Sequence, residues 1–243
     1  MKRRSKRNQK RRRRTRRTRQ KGGRTIDRII YTFWTGKNKI PSVRQECLDD
    51  LIANCGCKVQ VVNPDNLDSF LLPDEPLHPG YEYLSEVHRS DYLRCYFMHF
   101  KGGGYSDMKA TTGDWNKAFD DMNANDTMLI NSYHEPGPEG VHGGEYAKSL
   151  WKELPGTCAF IMPPKTEFTK EWYTKMIAVM DAKLEQLKAN PATDPRATPE
   201  KQPGYPIAWT EILADIFHPL SCNYRGRFLF TTPIPNLSKK WNE

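Results

Sequence analysis

The chain has no apolar run of the roughly 20 residues that a membrane-spanning helix needs. No apolar segment follows its basic N-terminus, so that end does not read as a secretory signal. No Cys-x-x-Cys pair occurs. Cys55-Gly-Cys57 lacks the two-residue spacer of a zinc knuckle and has no second pair to complete it. Gly102, Gly103 and Gly104 are not followed by the Lys-Ser/Thr of a P-loop. No serine stands in a Gly-x-Ser-x-Gly elbow, and His88, His99, His134 and His142 form no recognisable triad with one. There is no internal repeat. These absences argue against a helical membrane protein, a zinc knuckle, a P-loop NTPase and an elbow-type hydrolase. Cys95 and Cys158 lie in apolar runs and read as buried free thiols. The expected compartment is therefore reducing and cytoplasmic, with a peripheral membrane location left open.

Acid is missing altogether from residues 1–24, which hold 15 of the 38 Lys and Arg. The remaining 23 bases face 29 acids, a formal charge of −6. The overall charge of +9 thus belongs to the tail. A nucleic-acid-binding reading of the whole protein from its charge fails on that subtraction. The tail itself cannot bury apolar surface and repels itself, so its composition predicts disorder. Three roles stay open for it: a nucleic-acid or nuclear-localisation-like patch, a dock on an anionic membrane, or a solvated extension. On a membrane each basic residue contributes about 1 kcal/mol. Residues 25–243 are long enough for one domain with a sizeable core.

The pattern along that domain alternates strand and helix. Ile26 to Trp34 is rich in β-branched and aromatic residues and predicts a buried first strand. A helix follows, with Ser42 as its expected N-cap, Gln45 three residues on, and Val43, Cys47, Leu51 and Cys55 along one face. Lys58 to Val62 predicts a second strand. Leu93, Tyr96, Phe97 and Phe100 repeat at i, i+3, i+4, i+7 and predict the core face of a helix that stops at Gly102 to Gly104. Further strands are expected at Tyr105 to Met108, Thr127 to Asn131, Cys158 to Met162 and Phe228 to Phe230. Further helices are expected at Asn116 to Met122, Glu167 to Lys188 and Ala208 to Phe217, the last ended by His218-Pro219. Residues 132–145 and 190–206 read as Pro- and Gly-rich loops. The fold expected is α/β with a mixed central sheet, its site at the carboxyl ends of the strands, where Trp34 and Asp107 both fall.

Chemistry concentrates in Ser85 to Trp115. Asp107, placed after a glycine run at a strand end, can bind a divalent cation or a sugar hydroxyl, or merely cap the next turn. A lone Asp is not a metal site; Asp114 and His218 are candidate further ligands, and His218 reads equally well as a packed residue. Arg94 can grip a phosphate or hydroxyl, or form a plain i, i+3 salt bridge with Asp91 on a solvated face. Trp34 can stack on a base or sugar, or sit in the core. On spacing alone the reading stops at an α/β domain with a nucleotide-like or sugar-like ligand.

Ser90-Asp91-Tyr92-Leu93-Arg94, followed after the helix by Gly103-Gly104-Tyr105-Ser106-Asp107, resembles the SD-x-x-R and GG-x-Y-x-D signature of the sugar-transferase families with a DXD motif. These include the capsular-polysaccharide synthesis and mannosyltransferase-like groups. Phe33-Trp34 also resembles the end of their first strand. The likeness covers most of residues 26–120. It implies a GT-A, Rossmann-like three-layer fold. It also implies transfer from a nucleotide-sugar donor to a glycan or polysaccharide hydroxyl, mostly with retention. By that resemblance Asp91 and Arg94 contact the donor sugar, Trp34 stacks near the base, and Phe33, Gly103, Gly104 and Tyr105 belong to the donor site. The DXD acids of such families hold Mn²⁺ or Mg²⁺ on the diphosphate. Here the motif reads Asp107-Met108-Lys109. Strand alternation would put residues 107 and 109 on one face. Either Asp107 with His218 holds an auxiliary Mn²⁺ or Mg²⁺, which is the favoured expectation, or Lys109 neutralises the diphosphate in the metal's place. A catalytically degenerate nucleotide-sugar-binding scaffold and a nucleic-acid binder acting through residues 1–24 are the rival readings.

Overall fold

The computed structural model describes residues 25–237, so the tail reading lies outside the described residues. The elements run β1 (Ile29–Phe33), α1 (Ser42–Asn54), β2 (Lys58–Val62), α2 (Glu86–Phe100), β3 (Gly103–Ser106), α3 (Asn116–Asn123) and β4 (Ile130–His134). They continue with α4 (Glu145–Ser149), β5 (Pro155–Met162), α5 (Glu167–Ala189), α6 (Ala214–Asn223) and β6 (Phe228–Leu229). The strands form one six-stranded sheet in the order β2-β1-β3-β5-β4-β6. β1 is parallel to β2 and β3, β5 is antiparallel to β3 and β4, and β6 is parallel to β4. The α/β class and the mixed sheet are as the sequence predicts.

Alternation along the strands feeds two cores. Ile30, Ala159 and Ile161 point to the side covered by α1 and α3, where they meet Leu51, Trp115 and Phe119. Tyr31, Phe33, Tyr105 and Phe160 point to the other side, against Phe97 of α2, Trp172 of α5 and Phe217 of α6. The result is three layers with helices on both faces. Among the described residues no helix is long and apolar enough to cross a membrane.

Helix α2 lies in the middle of the second core. The Ser85 side chain caps it by accepting from the His88 amide. Except for Arg89, residues 88 to 98 are buried, because the sheet covers one side of the helix and Tyr173 of α5 packs on His99 and Phe100 at another. A solvated face for Asp91 and Arg94 is therefore unavailable, and the simple surface salt bridge is ruled out. The helix ends at Gly102, whose φ of 66° and tight approach to Pro164 and the Met162 carbonyl leave no room for a side chain.

Four local expectations are corrected. Ser42 begins α1 rather than capping it: Pro41 is the cap, without a side-chain bond, and Gln45 reaches Asp49 instead. The fourth strand starts three residues later than expected, at Ile130, because Thr127 is drawn into a turn on the Asn125 side chain. The last helix is Ala214–Asn223, with His218 and Pro219 inside it. Residues 209–213 form turns instead, held by the Ala208 amide on Glu211 and the Leu213 amide on Thr210. Pro219 leaves the carbonyl four residues back, on the exposed Asp215, without its helical donor, which solvent can replace. Finally, β3 stops at Ser106. Asp107 makes one more ladder bond to Cys158, and the Lys109 amide turns back on the Asp107 carbonyl at 2.7 Å, so strand alternation does not relate residues 107 and 109.

Candidate active site

The β1–α1 loop leaves the carboxyl end of β1 and opens a cleft of about 890 Å³. Its walls are residues 33–38 after β1, the first half of α2, and residues 194–201. Trp34 is half-buried at the rim, its indole donating to the Asn38 carbonyl at 2.8 Å. The third wall contains part of the segment read from sequence as a surface loop. It is anchored instead: the Val87 amide donates to Pro195, and buried Tyr205 bonds both His88 and Ser85.

Asp91 and Arg94 form the cleft floor, 4% and 5% exposed, with Asp107 directly behind Arg94 at 3%. Arg94 Nη2 lies 3.3 Å from one oxygen of each carboxylate. Its Nη1 donates to the Thr157 carbonyl at 2.7 Å. The guanidinium stacks 4.3 Å from the centre of the Tyr105 ring. The Tyr105 hydroxyl in turn donates to Asp107 Oδ1 at 2.6 Å. Strand β3 fixes this arrangement: Tyr105 projects to the α2 side between Phe33, stacked on it at 5.4 Å, and Phe160, tilted against it at 5.3 Å. Two carboxylates and one guanidinium thus share one buried site. Burial, reinforced by Asp107 and opposed by Arg94, pushes the Asp91 carboxyl up to about 7. Burial works against the Arg94 charge, but Tyr105, Asp107 and Asp91 outweigh it and raise its hold on the proton.

Of the residues singled out from sequence, Phe33, Trp34, Asp91 and Arg94 line the cleft, and Tyr105 and Asp107 support its floor. Gly103 and Gly104 do not line it. They sit in β3, where Gly104 packs against Ile30 and Phe119 on the opposite side of the sheet. Lys109 is buried at 6% in the bend after Asp107. His218 is fully buried in α6, accepts the His142 amide on Nδ1, and lies against Phe217, with burial lowering its pKa to about 3. Asp114 accepts the Asn116 amide at 2.6 Å beside Gly56 and is a turn cap.

The donor set does not fit a dedicated divalent cation. Among the described residues no three His, Cys, Asp or Glu side chains come together to hold one. Asp107 Oδ1 already receives Arg94 and the Tyr105 hydroxyl. Mg²⁺ or Mn²⁺ asks for several oxygen ligands around an open position, and a guanidinium lies 3.3 Å from this carboxylate.

Two features escaped the sequence reading. The first is the cationic lining. Lys37, Arg44, Arg89, Arg94, Arg196 and Lys201 face the cleft against Glu86, Asp91 and Asp194, an excess of positive charge in an otherwise acidic domain. The second is Glu135, 7% exposed at the end of β4. A register irregularity between Ser132 and His134 re-aims the chain there. The carboxylate takes the space that a side chain on Gly140 would fill. Burial, with Glu139 and Asp107 nearby, pushes it up to about 7 against the Thr157 amide and the Tyr133 hydroxyl. Its only sequence signal was membership of a Gly- and Pro-rich loop.

No family model matches the chain, and no curated protein does. Among solved structures, one titled "PaToxG Glycosyltransferase" superposes with a TM-score of 0.46 at 10% identity, over 84% of this chain and 71% of that one.

Proposed function

We propose that the cleft binds a nucleotide-sugar and that the protein is a glycosyltransferase, moving the sugar to a hydroxyl of a glycan or polysaccharide acceptor. The observation that carries this reading is Arg94 held 3.3 Å from both Asp91 and Asp107 on the floor of a cleft with Trp34 at its rim. Four of the signature residues, Asp91, Arg94, Tyr105 and Asp107, lie in contact with one another. In this reading Trp34 stacks on the base, and Asp91 and Arg94 hydrogen-bond the sugar hydroxyls. Tyr105 and Asp107 fix the guanidinium so that it meets the donor without reorganising. In the transfer the bond between the anomeric carbon and the phosphate oxygen breaks, and the nucleoside diphosphate leaves with the electron pair. The acceptor oxygen bonds the anomeric carbon and releases its proton. The retaining outcome implied by the resemblance is read from the anomeric configuration of the product.

The test is release of nucleoside diphosphate from a panel of nucleotide-sugars, with and without a glycan acceptor. Wild type is expected to turn over at least one donor. Asp91→Asn and Asp107→Asn are expected to lower the rate at least about 100-fold, the loss of a few kcal/mol of transition-state stabilisation. Equal rates in both variants would remove these residues from the site.

A further inference from the structure

We propose that Ser132, Tyr133 and Glu135 are positioning residues for the cleft floor, acting through an irregular stretch of β5 that holds Arg94 and Asp107. The inference rests on the nucleotide-sugar reading, in which Arg94 meets the sugar. None of the three residues belongs to the cleft walls. Ser132 pairs with Phe160, but His134 pairs with Pro155. Two steps along β4, from 132 to 134, thus face five along β5, from 155 to 160, which leaves residues 156–159 without regular partners on β4. Backbone groups freed in this way inside a protein need other partners. Side chains of β4 and its end supply them. The Ser132 hydroxyl lies 2.9 Å from the Gly156 carbonyl and 2.7 Å from the Ala159 carbonyl. The Cys158 amide donates to the Tyr133 hydroxyl at 3.3 Å, and the Thr157 amide donates to the Glu135 carboxylate. The Tyr133 ring lies so close on Gly156 that a Cβ there would come within 2.2 Å of it.

The same stretch of β5 serves the floor with its carbonyls. The Thr157 carbonyl accepts from Arg94 Nη1 at 2.7 Å, and the Cys158 carbonyl accepts the Asp107 amide at 2.7 Å. A regular strand turns successive carbonyls to opposite sides, so it would offer the floor only one of the two. The irregularity brings both to bear on neighbouring floor residues, and the side chains of Ser132, Tyr133 and Glu135 hold the irregularity. All three are buried, Ser132 completely and Glu135 to 7% exposure, so their polar atoms act inside the fold. A group that must meet the reacting sugar is sensitive to such support, since a displacement of about 1 Å lowers a rate on the order of 100-fold.

The experiment compares Ser132→Ala and Tyr133→Phe with wild type at a temperature well below the Tm of each. Side-chain NMR of the arginine guanidinium groups, with Arg94→Lys for assignment, follows proton exchange at Arg94. Nucleotide-sugar turnover gives kcat, and calorimetry with UDP and GDP gives Kd. Exchange at Arg94 is expected to quicken at least about tenfold in both variants. Their kcat is expected to fall at least about tenfold, equivalent to about 1.4 kcal/mol. The Kd for the nucleoside diphosphate is expected to stay within about threefold, because the support acts on the floor and not on the cleft walls. Unchanged exchange at Arg94, unchanged kcat, or an equal loss of kcat and nucleotide affinity each overturns the proposal. Where Ser132→Ala does not fold, Tyr133→Phe, which deletes a single hydroxyl, is read by the same outcomes. If wild type turns over no donor, the nucleotide-sugar reading falls by itself, and exchange at Arg94 still decides whether these residues hold the floor.

Discussion

Arg94 is the one cation between two buried carboxylates, so removing it strands both of them. Breaking such a pair costs about 3–5 kcal/mol. Urea unfolding of Arg94→Ala is expected to show a loss of that size, and a loss below about 1 kcal/mol would mean that the ion-pair geometry carries little energy. The isosteric variants Asp91→Asn and Asp107→Asn are therefore the cleaner probes of chemistry. Glu135 offers a second residue-scale test. Its folded pKa, raised to about 7 chiefly by burial, exceeds its unfolded value. The folded state then holds the extra proton, so this group favours folding most below about pH 4. That contribution is lost as pH rises through about 7. Its full size is on the order of 3 kcal/mol. Glu135→Gln, followed by thermal unfolding from pH 4 to 8, is expected to gain stability relative to wild type as pH rises. A constant difference across that range would contradict the account. The comparison must be between variants, because His88 acts in the opposite sense. Burial lowers its pKa to about 4, so its stabilisation is present above about 6.5 and fades as pH falls through 4.

At the scale of elements, the third wall is tied to α2 through His88. Its Nε2 lies 3.2 Å from the Ala208 carbonyl and so carries the proton. Nδ1 then accepts from the Tyr205 hydroxyl at 2.8 Å, and that hydroxyl receives the Ser85 amide. Tyr205→Phe is expected to cost about 1 kcal/mol of stability. It should also weaken nucleotide-sugar binding severalfold by loosening the third wall of the cleft, while leaving kcat nearly unchanged; an unaltered Kd in calorimetry would show that the wall does not need this anchor. The elements also mark how far the sequence could be read. Helix α2 and the glycine stop were legible because aromatic periodicity and three glycines are strong local signals. The burial of its polar face was not, since the groups that enclose Arg94 include the Thr157 carbonyl of β5, 63 residues away. The last helix was misplaced because a proline that normally ends helices sits inside one here. The third wall was invisible in a run of prolines, because its ties to α2 through Pro195 and Tyr205 are tertiary.

For the whole molecule, charge is the organising quantity. Net charge by subtraction sets residues 1–24 apart from an acidic remainder, but it could not foresee that this remainder gathers six cations in one cleft. That gathering depends on three chain segments meeting in space, which no local pattern encodes. The same folding event places Trp34, Asp91 and Arg94 on one surface and Tyr105 and Asp107 beneath it. The central claim is that this surface is a nucleotide-sugar site. A thermal-shift series of nucleotide-sugars, each in EDTA and in Mn²⁺, tests it most directly, since a ligand at 100 times its Kd stabilises the fold by about 2.7 kcal/mol. The account predicts that at least one nucleotide-sugar raises Tm, and that Trp34→Ala and Asp91→Asn each abolish the shift. It is contradicted if no donor moves Tm under either condition, or if the shift persists in both variants.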